Sequence, residues 1–167
     1  GHWLSGDIGE DRKNISGIVK VFLTTFKDQR TAPALILKTS GATYSYIDQE
    51  IILGKIDEIR RSVKHRTSLP DIYVVHGELT DHEIQSLYKN EKVKAYLEIG
   101  NEGFGRPSLE FSAASSKPVI ASPFGGHIDF LDKDFTVFVG GELAPVHPSA
   151  ANQFLLPESK WFKADPA

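Results

Sequence analysis

The chain has 167 residues, 25% of them charged and 40% apolar, enough for one domain with a proper core and typical of a soluble globular protein. A formal net charge of −3 argues against a nucleic-acid binder that works by bulk electrostatics, no apolar run is long enough to span a bilayer, and no signal peptide is visible. Cysteine is absent, which excludes disulfides, a thiolate metal site and a cysteine nucleophile, and methionine is absent too. With a start at Gly1-His2, the chain is expected to be a piece of a longer protein, and a cytoplasmic setting, at most peripheral to a membrane, fits the composition.

In chain order, Ile15, Ile18, Val19, Phe22 and Phe26 share one helical face, with Asn14 as the expected N-cap. Ala34 to Lys38 reads as a short apolar strand closed by Thr39-Ser40-Gly41. Ile47, Ile51, Ile52, Ile56, Ile59 and Val63 predict a second helix, weakened by Gly54. After the break at Pro70-Asp71, Ile72 to Val75 reads as a strand ending in His76-Gly77. Thr80-Asp81-His82-Glu83 is a capping box that opens a helix over Ile84, Leu87 and Tyr88. Lys94 to Ile99 is the next strand, followed by a glycine turn and a helix carrying Leu109, Phe111 and Ala114. Pro118 to Ala121 is another strand and Thr136 to Val139 the last, while the stretch after Gly141 is expected to be less regular.

Strands alternate with helices and are mostly solid apolar runs, as when both faces of a sheet are covered. This predicts an α/β class with a Rossmann-like, doubly wound and mainly parallel sheet. Ligands of such sheets sit outside the carboxyl ends of the strands. The loops there are Thr39-Ser40-Gly41, His76-Gly77-Glu78, Gly100 to Gly105 and Ser122 to His127, and they are expected to line one crevice.

The most informative string is Glu102-Gly103-Phe104-Gly105-Arg106-Pro107-Ser108-Leu109-Glu110, two glutamates separated by seven residues. A glycine turn between strand and helix exposes backbone N–H groups, and the helix N-terminus adds partial positive charge. A carboxylate there can accept hydrogen bonds from the vicinal hydroxyls of a ribose or a sugar. Taken singly, each glutamate reads better as an acid complementing the helix dipole, and only the whole string in its strand–turn–helix setting points to a ligand site. Arg12-Lys13 could neutralise a pyrophosphate, although such a pair is more often a solvated loop. Lys38 ends a strand on the ligand side, where it can meet a phosphate or reach out to water. Gly125-Gly126-His127 could let the backbone approach a ligand or simply form a turn. His76 and His127 have no second pair at metal spacing, so no metal site is expected. Asp132-Lys133-Asp134 is expected to be a surface turn, and no Ser-His-Asp set or nucleophile elbow is visible.

The string from Glu102 to Glu110 resembles the E-x7-E motif of retaining GT-B glycosyltransferases of family four. Arg12-Lys13-Asn14 resembles the basic motif near the start of their donor-binding half, and Leu87-Tyr88 stands at the usual interval before the motif. Lys117 to Ala121 and Gly125 to Leu131 resemble the strand and glycine loop that follow it. The resemblance covers about residues 6 to 140. It implies that residues 1–167 are a single nucleotide-sugar-binding domain, one half of a GT-B fold from a longer two-domain enzyme. Glu110 would then bind the ribose, and Glu102 would approach the donor sugar as the catalytic glutamate. Arg12 and Lys13 would hold the diphosphate with the N–H groups of Gly103, Phe104 and Gly105, and Lys38, His76 and Gly77 would complete the donor site. Where many members carry an arginine after the first strand's glycine, this chain has Asp7, and Arg12 is expected to take that role.

The activity implied is metal-independent transfer of a sugar from a UDP-, GDP- or ADP-linked donor to a hydroxyl acceptor, with retention and no further cofactor. Partners would be the donor and a glycan, glycolipid or polysaccharide acceptor bound by a missing N-terminal domain, as in polysaccharide biosynthesis. Alone, this piece is expected to be inactive. Alternatives on the same scaffold are half of a nucleotide-sugar epimerase and a non-catalytic nucleotide-binding module.

Overall fold

In the computed structural model, which describes residues 2–165, helices and short strands alternate as the periodicity predicts. The order is α1 (Ile15–Phe26), β1 (Leu35–Lys38), α2 (Tyr46–Ser62), β2 (Ile72–Val75), α3 (Asp81–Lys89), β3 (Tyr96–Glu98), α4 (Arg106–Ser115) and β4 (Val119–Ala121). A 3₁₀ turn (Gly126–Asp129), β5 (Thr136–Phe138), β6 (Gly141–Pro145) and β7 (Lys160–Ala164) follow. This is a mixed α/β fold of Rossmann-like architecture, with four α-helices and mainly parallel strands among the described residues. No helix among them is long and apolar enough to cross a membrane.

The described strands form separate sheets. β1 pairs with β2 in parallel, β3, β4 and β5 form a parallel sheet with β4 central, and β6 and β7 form an antiparallel pair. The chain divides into two compact units, residues 2–78 with Val146–Pro157, and Leu79–Pro145 with Glu158–Asp165.

In the first unit, α1 and α2 pack together. Val19 and Leu23 are buried on α1, and Ile52, Ile56 and Ile59 on α2. The inward face of α2 takes up only part of its apolar set. Ile47 and Ile51 are 72% and 54% exposed, and Asp48 is buried in line with Ile52. The cause is polar. The Asp48 carboxylate accepts from the Gly41 N–H and from His76, and this sets the helix rotation. Ile47 and Ile51 each precede an inward residue by one position, about 100° around the helix axis. The β1–β2 ribbon also departs from the expectation of two covered faces. Leu35 and Leu37 are buried, but the cross-strand partners Ile36 and Tyr73 are 40% and 57% exposed.

Beyond α1, Asp28 adopts a left-handed conformation (φ 59°), and its carboxylate gathers the segment that precedes β2. It accepts from the backbone N–H of Arg66, Thr67 and Ser68 and from the Thr67 hydroxyl. These donors, the Thr67 N–H foremost, hold its pKa far below the usual carboxylate range.

In the second unit, Tyr88, Phe111, Val119, Ala121 and Leu131 form the core. The Phe111 ring lies 5.4 Å from that of Tyr88, nearly edge-on, and 5.3 Å from that of Tyr96. The expected capping box starts α3. The Glu83 N–H reaches the Thr80 hydroxyl at 3.3 Å, and the Thr80 N–H reaches Glu83 at 2.7 Å. The segment after Gly141 is more regular than expected, because β6 and β7 pair and bury Trp161 and Phe162. The Asn101 side chain clamps this hairpin, donating to the Phe162 carbonyl at 3.0 Å and accepting from its N–H at 2.7 Å. Asn101 directly precedes Glu102, so the clamp anchors the start of the glycine turn.

Phe111→Ala is expected to cost about 3–5 kcal/mol, the range for emptying a buried aromatic site, read as a lowered urea midpoint. Asp28 gives a second test. Its folded pKa is depressed, so its contribution is present above the unfolded value of about 3.9 and is lost as pH falls below it. Asp28→Asn should lower the melting temperature at pH 7 and flatten its decline between pH 5 and pH 2. An unchanged acid slope would show that Asp28 is not the group responsible.

Candidate functional site

The residues singled out in the sequence divide between the two units. Arg12, Lys13, Lys38, His76 and Gly77 lie in the first, and Glu102 through Gly105 and Glu110 in the second.

In the first unit, the start of α1 is held by Asp11 and not by Asn14. Asp11 is buried, and its carboxylate accepts from the N–H of Ile15 at 2.7 Å, the N–H of Ser16 at 3.0 Å and the Ser16 hydroxyl. Asn14 is left-handed and makes no side-chain cap bond, because its amide lies over Gly17, where a Cβ would collide with it. The first free N–H groups of α1 are thus already satisfied by a carboxylate. Arg12 is exposed and Lys13 half-buried just before the helix.

At the carboxyl end of β1, the Lys38 ammonium donates to the Gly77 carbonyl at 2.5 Å and sits 5.3 Å from the centre of the Tyr44 ring. Burial lowers its pKa, and the charge of Glu78 works in the opposite direction. Gly77 has φ 103°, a conformation that favours glycine and turns its carbonyl back to Lys38. His76 donates from Nε2 to Asp48 at 2.9 Å, with the Tyr44 ring edge-on at 5.9 Å. This bond, followed by the Gly41 N–H, holds the Asp48 carboxyl below its usual pKa. Sequence reasoning missed Asp48. The signal was the Ser45-x-x-Asp48 spacing, a helix-start pattern whose Ser45 hydroxyl does accept from the Asp48 N–H at 3.2 Å.

In the second unit, β3, the glycine turn and α4 follow one another in the order that the sequence predicts. The turn is locked by the loop after β4. Glu102 and Gly125 form a parallel bridge, and the Gly126 N–H donates to the Gly103 carbonyl at 3.0 Å. Gly105 is left-handed (φ 86°), and a Cβ there would stand 2.5 Å from the Cβ of His127. At the start of α4, the Ser108 hydroxyl donates to the Gly105 carbonyl at 2.7 Å. His127 is fully buried and donates from Nε2 to the Ser122 carbonyl at 2.7 Å. That bond fixes the tautomer, and Nδ1 is left buried with no partner among the described residues. The sequence marked Gly125-Gly126-His127 as a turn or a ligand loop. In the structure it is the wedge that shapes the Glu102 turn.

The two glutamates have different surroundings. Glu102 accepts from the Gly103 N–H at 3.1 Å, so one N–H expected to meet phosphate is engaged by the neighbouring carboxylate. Phe104 is exposed, its ring 5.7 Å from that of Phe130. Glu110, one turn into α4, pairs with Arg106 Nε at 2.6 Å. Arg106 and Glu110 line an open groove of about 640 Å³ between α3 and α4, with Ile84, Tyr88 and Ala114 among its apolar lining. Glu102 is not among its lining residues. Burial raises the Tyr88 hydroxyl to about 12, assisted by Glu110 and then Glu98. Glu98 on β3 is itself buried, with the Tyr96 hydroxyl 3.4 Å away. A neutral phenol and a carboxylate on one groove suit a ligand that carries hydroxyl groups.

No family model matches the chain, and no solved structure matches it. A curated relative, the structural maintenance of chromosomes protein 2 of Dictyostelium discoideum, is 28% identical over 127 residues, 75% of this chain. The chain spans 10% of that relative's length.

Gly105→Ala combines a strained backbone with a collision against His127. It is expected to lower the melting temperature by several degrees, whereas Gly103→Ala, whose Cβ would meet nothing within 4 Å, should be nearly neutral. Equal melting temperatures for the two variants would refute the interlock.

Proposed function

We propose that this chain binds a nucleotide sugar and acts as the donor-binding half of a retaining GT-B glycosyltransferase. The observation that supports this most is the setting of the motif. Glu102 to Glu110 follows β3 and spans a glycine turn locked by a second glycine loop and the first half of a helix whose Glu110 opens onto a groove.

The chemistry follows from these parts. Glu110 accepts from the ribose hydroxyls, and Glu102, at the turn, faces the donor sugar. The start of α4 and the N–H groups of Gly103 to Gly105 stabilise the negative charge that builds on the departing diphosphate. For Gly103 this requires its N–H to pass from the Glu102 carboxylate to the phosphate as the donor arrives. Sugar transfer to a hydroxyl acceptor separates this reading from an epimerase and from a non-catalytic nucleotide-binding module.

Titration of the chain with UDP, GDP and ADP, followed by amide chemical shifts or heat, tests the site. One nucleotide is expected to bind saturably, with the largest shifts at Gly103 to Glu110. Glu110→Ala should weaken it at least tenfold, the effect of one or two lost hydrogen bonds to a charged acceptor, about 1.5–3 kcal/mol each. Nucleotide binding untouched by Glu110→Ala would remove the site from this motif.

A further inference from the structure

The E-x7-E resemblance gives Arg106 no part, yet it is the closest partner of Glu110. Its Nε holds Glu110 Oε1 at 2.6 Å, while the guanidinium stands largely in solvent, the side chain 76% exposed. Its two terminal nitrogens and Glu110 Oε2 make no hydrogen bond among the described residues. An arginine bound edge-on through Nε keeps its outer NH₂ groups for a second acceptor. A carboxylate held through one oxygen presents the other in a fixed direction. Arg106 and Glu110 therefore offer, side by side on one groove, one acceptor for a hydroxyl and two donors for an anion.

The rest of the lining agrees with a ligand of that kind. Ile84, Tyr88, Ala113 and Ala114 give an apolar wall on which a flat ring can lie, and Lys89 adds a second cation. Glu110 foremost, and then Asp81 on the same groove, favour the charged form of Arg106. A ligand with an aromatic ring, free hydroxyls and a phosphate group uses the apolar wall, the Glu110 acceptor and the two cations. A nucleoside alone leaves the guanidinium's outer donors without a partner.

We propose that Arg106 is a phosphate-binding residue of the nucleotide site, so that the α3–α4 groove selects nucleoside diphosphates over nucleosides through the Arg106–Glu110 pair. This rests on the reading of Glu110 as a nucleotide ligand. It adds a role for a residue that sequence alone marks only as the first position of a helix. Arginine suits the task because its planar fork can hold a carboxylate and a phosphate together, which a lysine ammonium does with less geometric definition.

The test is calorimetric titration of the whole chain with UDP, GDP and ADP and with uridine, guanosine and adenosine. The variants are Arg106→Gln, Arg106→Lys and Glu110→Gln. Arg106→Gln is expected to weaken the diphosphate that binds by about tenfold, the worth of one charge-assisted contact at an exposed site. Its effect on the matching nucleoside should stay within about twofold. Arg106→Lys should recover part of the loss, and raising the salt concentration should weaken the wild type more than Arg106→Gln. Glu110→Gln should weaken nucleoside and diphosphate alike. If Arg106→Gln weakens both ligands in equal proportion, Arg106 only orients Glu110 and the proposal fails. If Arg106→Gln leaves diphosphate binding intact while Glu110→Gln abolishes it, the proposal fails and the nucleotide reading stands. If the wild type binds neither class of ligand, both fall together.

Discussion

The candidate site depends on one backbone interlock. The loop after β4 lays Gly125 and Gly126 against Glu102 and Gly103, and the Gly126 N–H closes onto the Gly103 carbonyl. Side chains at these glycines would prevent the approach, since a Cβ on either would collide with the carbonyl opposite. Behind the contact, His127 fills the space under Gly105 and anchors itself to Ser122. The left-handed Gly105 then starts α4, and α4 carries Arg106 and Glu110 to the groove. The position of Glu110 is thus inherited from a contact between two loops that are distant in sequence.

A second theme is that buried or looped carboxylates take up backbone N–H groups that would otherwise be orphaned. Asp11 satisfies the start of α1, Asp28 the segment before β2, and Asp48 the Gly41 turn together with His76. Each is a charge-assisted bond made over a short stretch of backbone, where the ordering cost is small and the acceptor is strong. The same logic explains the Gly103 N–H on Glu102. In that case the acceptor lies beside a turn that can present N–H groups to an anion, so the bond is one that a phosphate can compete for.

The order of elements was legible in the sequence because hydrophobic period and helix-start chemistry agreed at most points. Thr80 and Glu83 made the box that their spacing predicts, and the strand, turn and helix around Glu102 fell where the glycines and Pro107 placed them. What failed to read was decided by polar tertiary contacts. Ile47 and Ile51 fit a helical stripe as well as Ile52 does, and only the grip of His76 and Gly41 on Asp48 chose between the two faces. The β6–β7 pair was hidden because its register is pinned by Asn101, some sixty residues from Phe162. Runs such as Leu35-Ile36-Leu37 cannot announce that one face is open, since period and composition are the same for a covered and a half-covered strand.

The groove also shows how a motif can be read too narrowly. Two glutamates at fixed spacing invite a symmetrical picture, with both carboxylates turned to one ligand. Here they sit in unlike electrostatic settings. Glu102 is coupled to the backbone of its own turn, and Glu110 to a guanidinium that is open to solvent. The first arrangement ties a carboxylate to the N–H of the residue that follows it. The second links Glu110 to a guanidinium one helical turn earlier on the same α4. The two carboxylates of the string are thus set by different local bonds, and the position of Arg106, four residues before Glu110 on the same helix, is what separates them.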